Sequence, residues 1–181
     1  MRRGFKAEAE RLSERVRDDL GLKRADQLPL DRLAASLGSE LRSAVDLIDI
    51  NRLVEIDTLQ PGAFSACTFD IGDRHVIVWN PLASPGRRTS DIAHELSHLL
   101  LNHAVKEVQT IGELTFFGCD PDEEQEANWL AGCLLLPRRL LVATLRAGAT
   151  AADLAERYEV SLQMVNYRIR ATGVMRQIQY R

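Results

Sequence analysis

His94-Glu95-Leu96-Ser97-His98 is the stretch whose reading decides the fold. At about 100° per residue, positions four apart return to one helical face, so both imidazoles can grip one metal ion while Glu95 flanks it. The same five-residue pattern arises by chance in chains that bind no metal, so its neighbourhood carries the argument. Thr89, Ser90 and Asp91 can accept bonds from unpaired backbone N–H groups and suit the positive end of a helix, which predicts a helix starting there. Ile92, Leu96, Leu99, Leu100 and His103 fall on or near one stripe, and Asp91, His94, Glu95 and His98 line an adjoining face. That is the pattern of an active-site helix half sunk in a core. A plain amphipathic helix with two incidental histidines explains it less well, because a glutamate inside an apolar helix is costly to bury unless paired or ligated.

A tetrahedral site needs a third protein ligand. His103 lies nine residues beyond His94, about 900° of rotation, which puts it on the opposite side of an unbroken helix and makes it a poor ligand. A metzincin would need Gly and His where Leu101 and Ala104 stand, which excludes that class. His75, on a short apolar run, reads more simply as a hydrogen-bonded strand residue. The better source is a carboxylate on a second helix over residues 120–137. Asp120 fits its N-cap, Pro121 its first position, Glu123 can close a capping box, and Pro137 marks its stop. These assignments leave Glu126, one turn before Leu130, pointing inward along the apolar stripe as the expected third ligand, with Glu123 as the fallback. The competing explanation is that all these acids merely favour the helix N-terminus.

The chain resembles the ImmA/IrrE family of metallopeptidases. The matching stretches are His75-Val-Ile-Val-Trp-Asn80 with Arg87-Arg88, the run from His94 to His103, and Glu124-Gln-Glu126-Ala-Asn-Trp-Leu-Ala-Gly-Cys-Leu-Leu-Leu-Pro137. In the last, Leu130 stands for the usual Phe and Leu136 for the usual Met. The likeness spans most of residues 28–174. It implies a zinc-dependent, gluzincin-like fold in which Glu126 corresponds to the third ligand. It also implies a role: members cleave, or promote cleavage of, helix-turn-helix repressors and so release stress or mobile-element genes. This chain departs from the pattern in three places. Ser97 replaces the Gly common in HELGH, the link over 104–119 is longer than usual, and Leu130 rather than Asp stands four residues after Glu126.

With 181 residues, 45% of them hydrophobic, the chain can bury a core as one domain with a small appended module. No apolar run approaches the roughly 20 residues of a membrane span, and the Met1-Arg-Arg-Gly-Phe-Lys start lacks a signal-peptide pattern, so no membrane association and a cytoplasmic location are expected. Cys67, Cys119 and Cys133 have no C-x-x-C spacing, and thiols are expected rather than a disulfide framework; Cys119 near the zinc is a minor alternative to a buried thiol. The charge is uneven: from Arg138 onward 8 Arg face 3 acids, giving +5, while residues 1–137 carry −8.

The expected fold class is α+β: a mostly helical zincin-like domain with a small antiparallel sheet over residues 1–145, and a helix-turn-helix-like segment over 146–181 packed on it. Residues 5–20 and 29–37 read as helices, 45–50 and 53–56 alternate as strands, and 64–69 with 75–79 form a hairpin through Gly72-Asp73. An exposed edge of that sheet could align an extended peptide. In the tail, Thr150 to Asp153 form a capping box, a helix runs to Tyr158, and Ser161 caps a second helix to about Thr172. Gln163, Asn166, Tyr167 and Arg170 would face outward from it toward substrate or DNA, although similar helix pairs also serve as plain packing units.

The expected function is hydrolysis of a peptide bond in a cytoplasmic repressor by Zn²⁺, with Mn²⁺ as an alternative metal, held on His94, His98 and Glu126 with Glu95 as the general base. The oxyanion donor is left open among Tyr158, Tyr167 and His103. The alternatives are a DNA-binding regulator working through its tail, or a repressor-binding module, such as a toxin–antitoxin partner, that does not cut.

Overall fold

The amphipathic stripe Phe5, Ala9, Val16 is buried on the first helix, α1 (Phe5–Asp19), and anchors a mostly helical molecule. The structure, a computed structural model, describes residues 1–62, 64–71, 74–103, 108–111, 114–117 and 120–179. The expected turn at Gly72-Asp73 and the cysteine at 119 lie outside the described residues.

After α1 come α2 (Leu30–Ser36), β1 (Ser39–Ser43), α3 (Ile50–Leu59), and the strands β2 (Ala66–Ile71) and β3 (Arg74–Trp79). Next are α4 (Pro85–Leu100), a two-stranded ribbon of β4 (Val108–Ile111) and β5 (Leu114–Phe117), and α5 (Pro121–Leu135). The chain continues through α6 (Arg138–Arg146), α7 (Ala151–Arg157), α8 (Leu162–Thr172) and α9 (Val174–Gln179). The sheet is mixed, in the order β1-β3-β2. The expected antiparallel pairing joins β2 to β3 from Ala66↔Trp79 to Ile71↔Arg74, and β1 adds a parallel partner from Ser39↔His75 to Ser43↔Trp79.

Three local expectations are corrected. Residues 44–59 are not strands: the Asp46 carboxylate accepts the Ser43 N–H at 3.1 Å across a short 3-10 turn over Ala44–Asp46, and the Asp49 side chain accepts the Asn51 N–H to start α3. Short apolar runs fit either period, and the caps decide here. The helix carrying the histidines begins at Pro85, not at Thr89, because proline fits the first helical position without losing a bond. Asp120 caps α5 through the Asp122 N–H, with Pro121 behind it, as the sequence suggested, whereas the capping box expected from Glu123 is not formed.

One hydrophobic core runs through the molecule: Phe5, Leu33, Ile77, Leu96, Leu130, Leu134, Leu140, Leu154, Val165 and Val174 all belong to it. A smaller cluster of Ala44, Leu53, Val76 and Val78 lies on the other side of the sheet. The tail helices are tied to this core by a fully buried arginine. Nε of Arg168 on α8 donates to the Leu136 carbonyl at 3.1 Å and Nη2 to Glu10 Oε1 at 2.6 Å, so the buried charge is paired. The tail helices form as read, with Thr150 and Ser161 as their caps.

Gly86, in the first turn of α4, shows how closely this helix is seated. A Cβ there would stand 2.8 Å from the backbone N of Ser161 and the carbonyl carbon of Val160, in the turn between α7 and α8. Because backbone cannot step aside as a side-chain tip can, Gly86→Ala is expected to cost about 1–3 kcal/mol of stability. In a chain of this size that lowers Tm by roughly 2–4 °C per kcal/mol. Calorimetry checks this, and an unchanged Tm would mean that the packing of α4 on that turn is loose.

Candidate metal centre

Four-residue spacing on α4 places the His94 and His98 rings one turn apart, edge to face, with their Nε2 atoms 3.0 Å from each other. The first turn of α5 brings the carboxylate of Glu124 to the same point: Oε2 lies 3.2 Å from His94 Nε2, and Oε1 lies 3.4 Å from His98 Nε2. His94, His98 and Glu124 form a group that could hold a metal ion. All three side chains are partly buried, at 17%, 12% and 28% exposure.

The separations test the fit. Ligand distances of about 2.0–2.1 Å give a tetrahedron an edge of about 3.3 Å, and the three donor separations observed here, 3.0, 3.2 and 3.4 Å, bracket that value. Two imidazole nitrogens and a carboxylate also make the donor set that zinc accepts at catalytic sites. A buried, unpartnered atom borders the site: His94 Nδ1 has no hydrogen-bond partner among the described residues. Asp91 Oδ2, one turn earlier on α4, has none either, and burial pushes the Asp91 carboxyl up from its ordinary range despite Arg87 nearby.

Glu126 does not join this group. It lies two residues beyond Glu124, about 200° around the helix, and faces the N-terminal segment instead. The Arg2 backbone N–H donates to its Oε1 at 2.7 Å, and Arg2 Nε reaches both oxygens at 3.2 and 3.1 Å. The inference that Glu126 is buried holds; the reason differs. Its charge is matched by Arg2, whose guanidinium is in turn held above its ordinary value by this carboxylate. A contact spanning 124 positions left no local mark in the sequence. Asn128, four residues after Glu124, donates its side-chain amide to the Glu124 backbone carbonyl at 2.8 Å, a bond within the helix that does not involve the carboxylate. Glu123, the fallback, is likewise not part of the group.

Glu95 is buried at 4% exposure, with the Thr68 hydroxyl donating to its Oε2 at 2.7 Å. Thr68 belongs to β2, one of the two edge strands of the sheet, and was not among the residues expected at the site. Ser97 fits where the family pattern has glycine because its hydroxyl, fully buried, donates back to the Ala93 carbonyl at 2.7 Å.

The residues considered as oxyanion donors have other neighbours. The Tyr158 hydroxyl donates to the Ala25 carbonyl at 3.2 Å, the Tyr167 ring meets Trp129 edge to face, and His103 stands behind His98. His75 pairs with Asp70 on the hairpin. Gln163, Asn166, Tyr167 and Arg170 are exposed on α8, where Arg170 Nε bonds the Asn166 carbonyl of its own helix. Burial drives the Cys133 thiol up to about 12, so it is a protonated core residue at neutral pH. No helix among the described residues is long and apolar enough to cross a membrane.

Two helices that bring an imidazole pair and a carboxylate to one point, beside a buried glutamate, are consistent with a metallopeptidase-like site. The profile of the Peptidase_M78 family, described as the IrrE N-terminal-like domain, matches residues 54–170. That is well over half of the chain, and the protein belongs to this family. No curated protein matches it.

The two glutamates are separated by metal analysis. After loading with Zn²⁺ and desalting, the wild type and Glu126→Ala are expected to keep about one equivalent, while Glu124→Ala keeps only a small fraction of it. Loss of metal from Glu126→Ala with retention by Glu124→Ala would reverse the assignment.

Proposed function

We propose that the protein is a zinc-dependent endopeptidase in which His94, His98 and Glu124 hold the metal and Glu95 is the general base. The observation that carries this reading is the triangle of donor atoms, whose edges of 3.0 to 3.4 Å suit one face of a zinc tetrahedron. A bound Zn²⁺ supplies Lewis acidity, polarising a carbonyl and shifting the pKa of water toward about 7. The protein's own groups do the rest. Glu95, next to His94 in sequence, takes the proton of the attacking water and passes it to the leaving amine. The Thr68 hydroxyl occupies Oε2, which leaves Oε1 for that proton and fixes the carboxylate plane.

The same strand supports the choice of a peptide as substrate. The Asn80 N–H bonds the Ser65 carbonyl at 2.8 Å, and the antiparallel alternation continues from there. The backbone groups of Ala66, Thr68 and Asp70 therefore face away from β3, toward the outer edge of the sheet. An extended peptide laid along that edge passes next to the residue that holds Glu95. The resemblance to the ImmA/IrrE family supports a substrate class for this proposal: a cytoplasmic helix-turn-helix repressor, cut in a stress or mobile-element response.

Intact-mass analysis of candidate repressors, incubated with the zinc-loaded protein, tests this reading. Two fragments whose summed masses exceed the intact chain by one water are expected. Glu95→Gln is expected to keep its zinc and lose on the order of 10²–10⁴ in kcat. Repressor bound but left whole by the wild type would point to sequestration, and equal cleavage by Glu95→Gln would remove Glu95 from the mechanism.

A further inference from the structure

The proposed reaction leaves unused a contact behind one of the metal ligands. α4 ends at Leu100, and Asn102 adopts a left-handed backbone with φ 51°, a conformation that asparagine tolerates better than most residues. The chain therefore reverses instead of continuing around the helix. The His103 N–H reaches the His98 carbonyl at 3.0 Å, and the two rings meet edge to face with centroids 5.0 Å apart. His103 Nδ1 stands 3.0 Å from His98 Nδ1, while His98 Nε2 points the other way, toward His94 and Glu124.

A bond between two ring nitrogens needs one proton, given by one ring and accepted by the other. An imidazole that offers the lone pair of Nε2 to a cation carries its proton on Nδ1. The His98 Nδ1–H is then the donor, and the acceptor is His103 Nδ1, so His103 keeps its own proton on Nε2. We infer that His103 is a positioning residue that holds His98 in the Nδ1–H tautomer, with its Nε2 lone pair aimed at the cation. The inference rests on the proposed ligation by His98. His103 acts only through that ring, touching neither metal nor substrate. The two imidazole ligands are thus unequal, since His94 Nδ1 has no such partner among the described residues.

Zinc affinity, measured in competition with a chromogenic chelator, tests this directly. His103→Leu, which fills space but accepts no bond, is expected to bind Zn²⁺ about 10- to 100-fold more weakly than the wild type. His103→Asn, whose Oδ1 can take the place of Nδ1, is expected to restore most of that loss, which a packing role alone would not explain. A His103→Leu protein that binds zinc like the wild type overturns the inference, as does His103→Asn binding no better than His103→Leu. ¹⁵N NMR of the zinc-loaded wild type needs no variant: it is expected to show His98 protonated on Nδ1 and coupled through the hydrogen bond to His103 Nδ1. Protonation of His98 on Nε2 overturns the inference. If His98→Ala abolishes zinc binding and His103→Leu does not alter it, only the positioning role fails; if the wild type holds no zinc, the metallopeptidase reading fails with it.

Discussion

The site depends on how α4 is seated against α5. His94 and His98 are fixed by one helix and Glu124 by another, and the chain between them passes through the ribbon of β4 and β5. No local propensity can bring those groups within 3.0 to 3.4 Å of each other; only the packing of the two helices does. Several buried residues on these two helices are small: Ala93 and Ser97 on α4, and Ala127 and Ala131 on α5, all at 0–1% exposure. Small side chains let helix axes approach, which suits a site spanned by short imidazole and carboxylate arms. The approach of Gly86 to the α7–α8 turn and the Arg168 bonds to Leu136 and Glu10 hold the same helices from the far side.

Charge is buried around this seam in a graded way. Glu126 is matched by Arg2, Glu95 receives one hydroxyl, and Glu124 faces two imidazoles. An ionised carboxylate taken out of water is costly unless paired, so the partner of each glutamate indicates its task. Glu126 has a guanidinium and is finished as a structural ion pair. Among the described residues, Glu95 meets the Thr68 hydroxyl on one oxygen. Glu124 shares its space with ring nitrogens, an arrangement that a cation completes. The three acids on this helix pair thus meet three different surroundings.

Much of this was legible in the sequence, and the misses have physical causes. Helical periodicity and caps exposed α1, α2, α5 and the tail pair, because Asp120, Thr150 and Ser161 act within two or three residues of themselves. Local rules failed where two periods fit equally, as over residues 44–59, and where proline allowed an earlier start, as at Pro85. The histidine pair was visible because both members sit on one helix. The structure brings Glu124, and not the expected Glu126, beside the two imidazoles, because Glu126 is occupied by Arg2 from the distant N-terminal segment. Thr68 and His103 could not be read locally: one arrives from a distant strand, the other through the left-handed turn at Asn102.

The account stands on one convergence, and diffraction from zinc-soaked crystals across the zinc absorption edge tests it most directly. A single strong anomalous peak within bonding distance of His94 Nε2, His98 Nε2 and a Glu124 oxygen is the result expected, with Glu126 still on Arg2. A peak ligated by Glu126, or none between the two imidazoles, would contradict it.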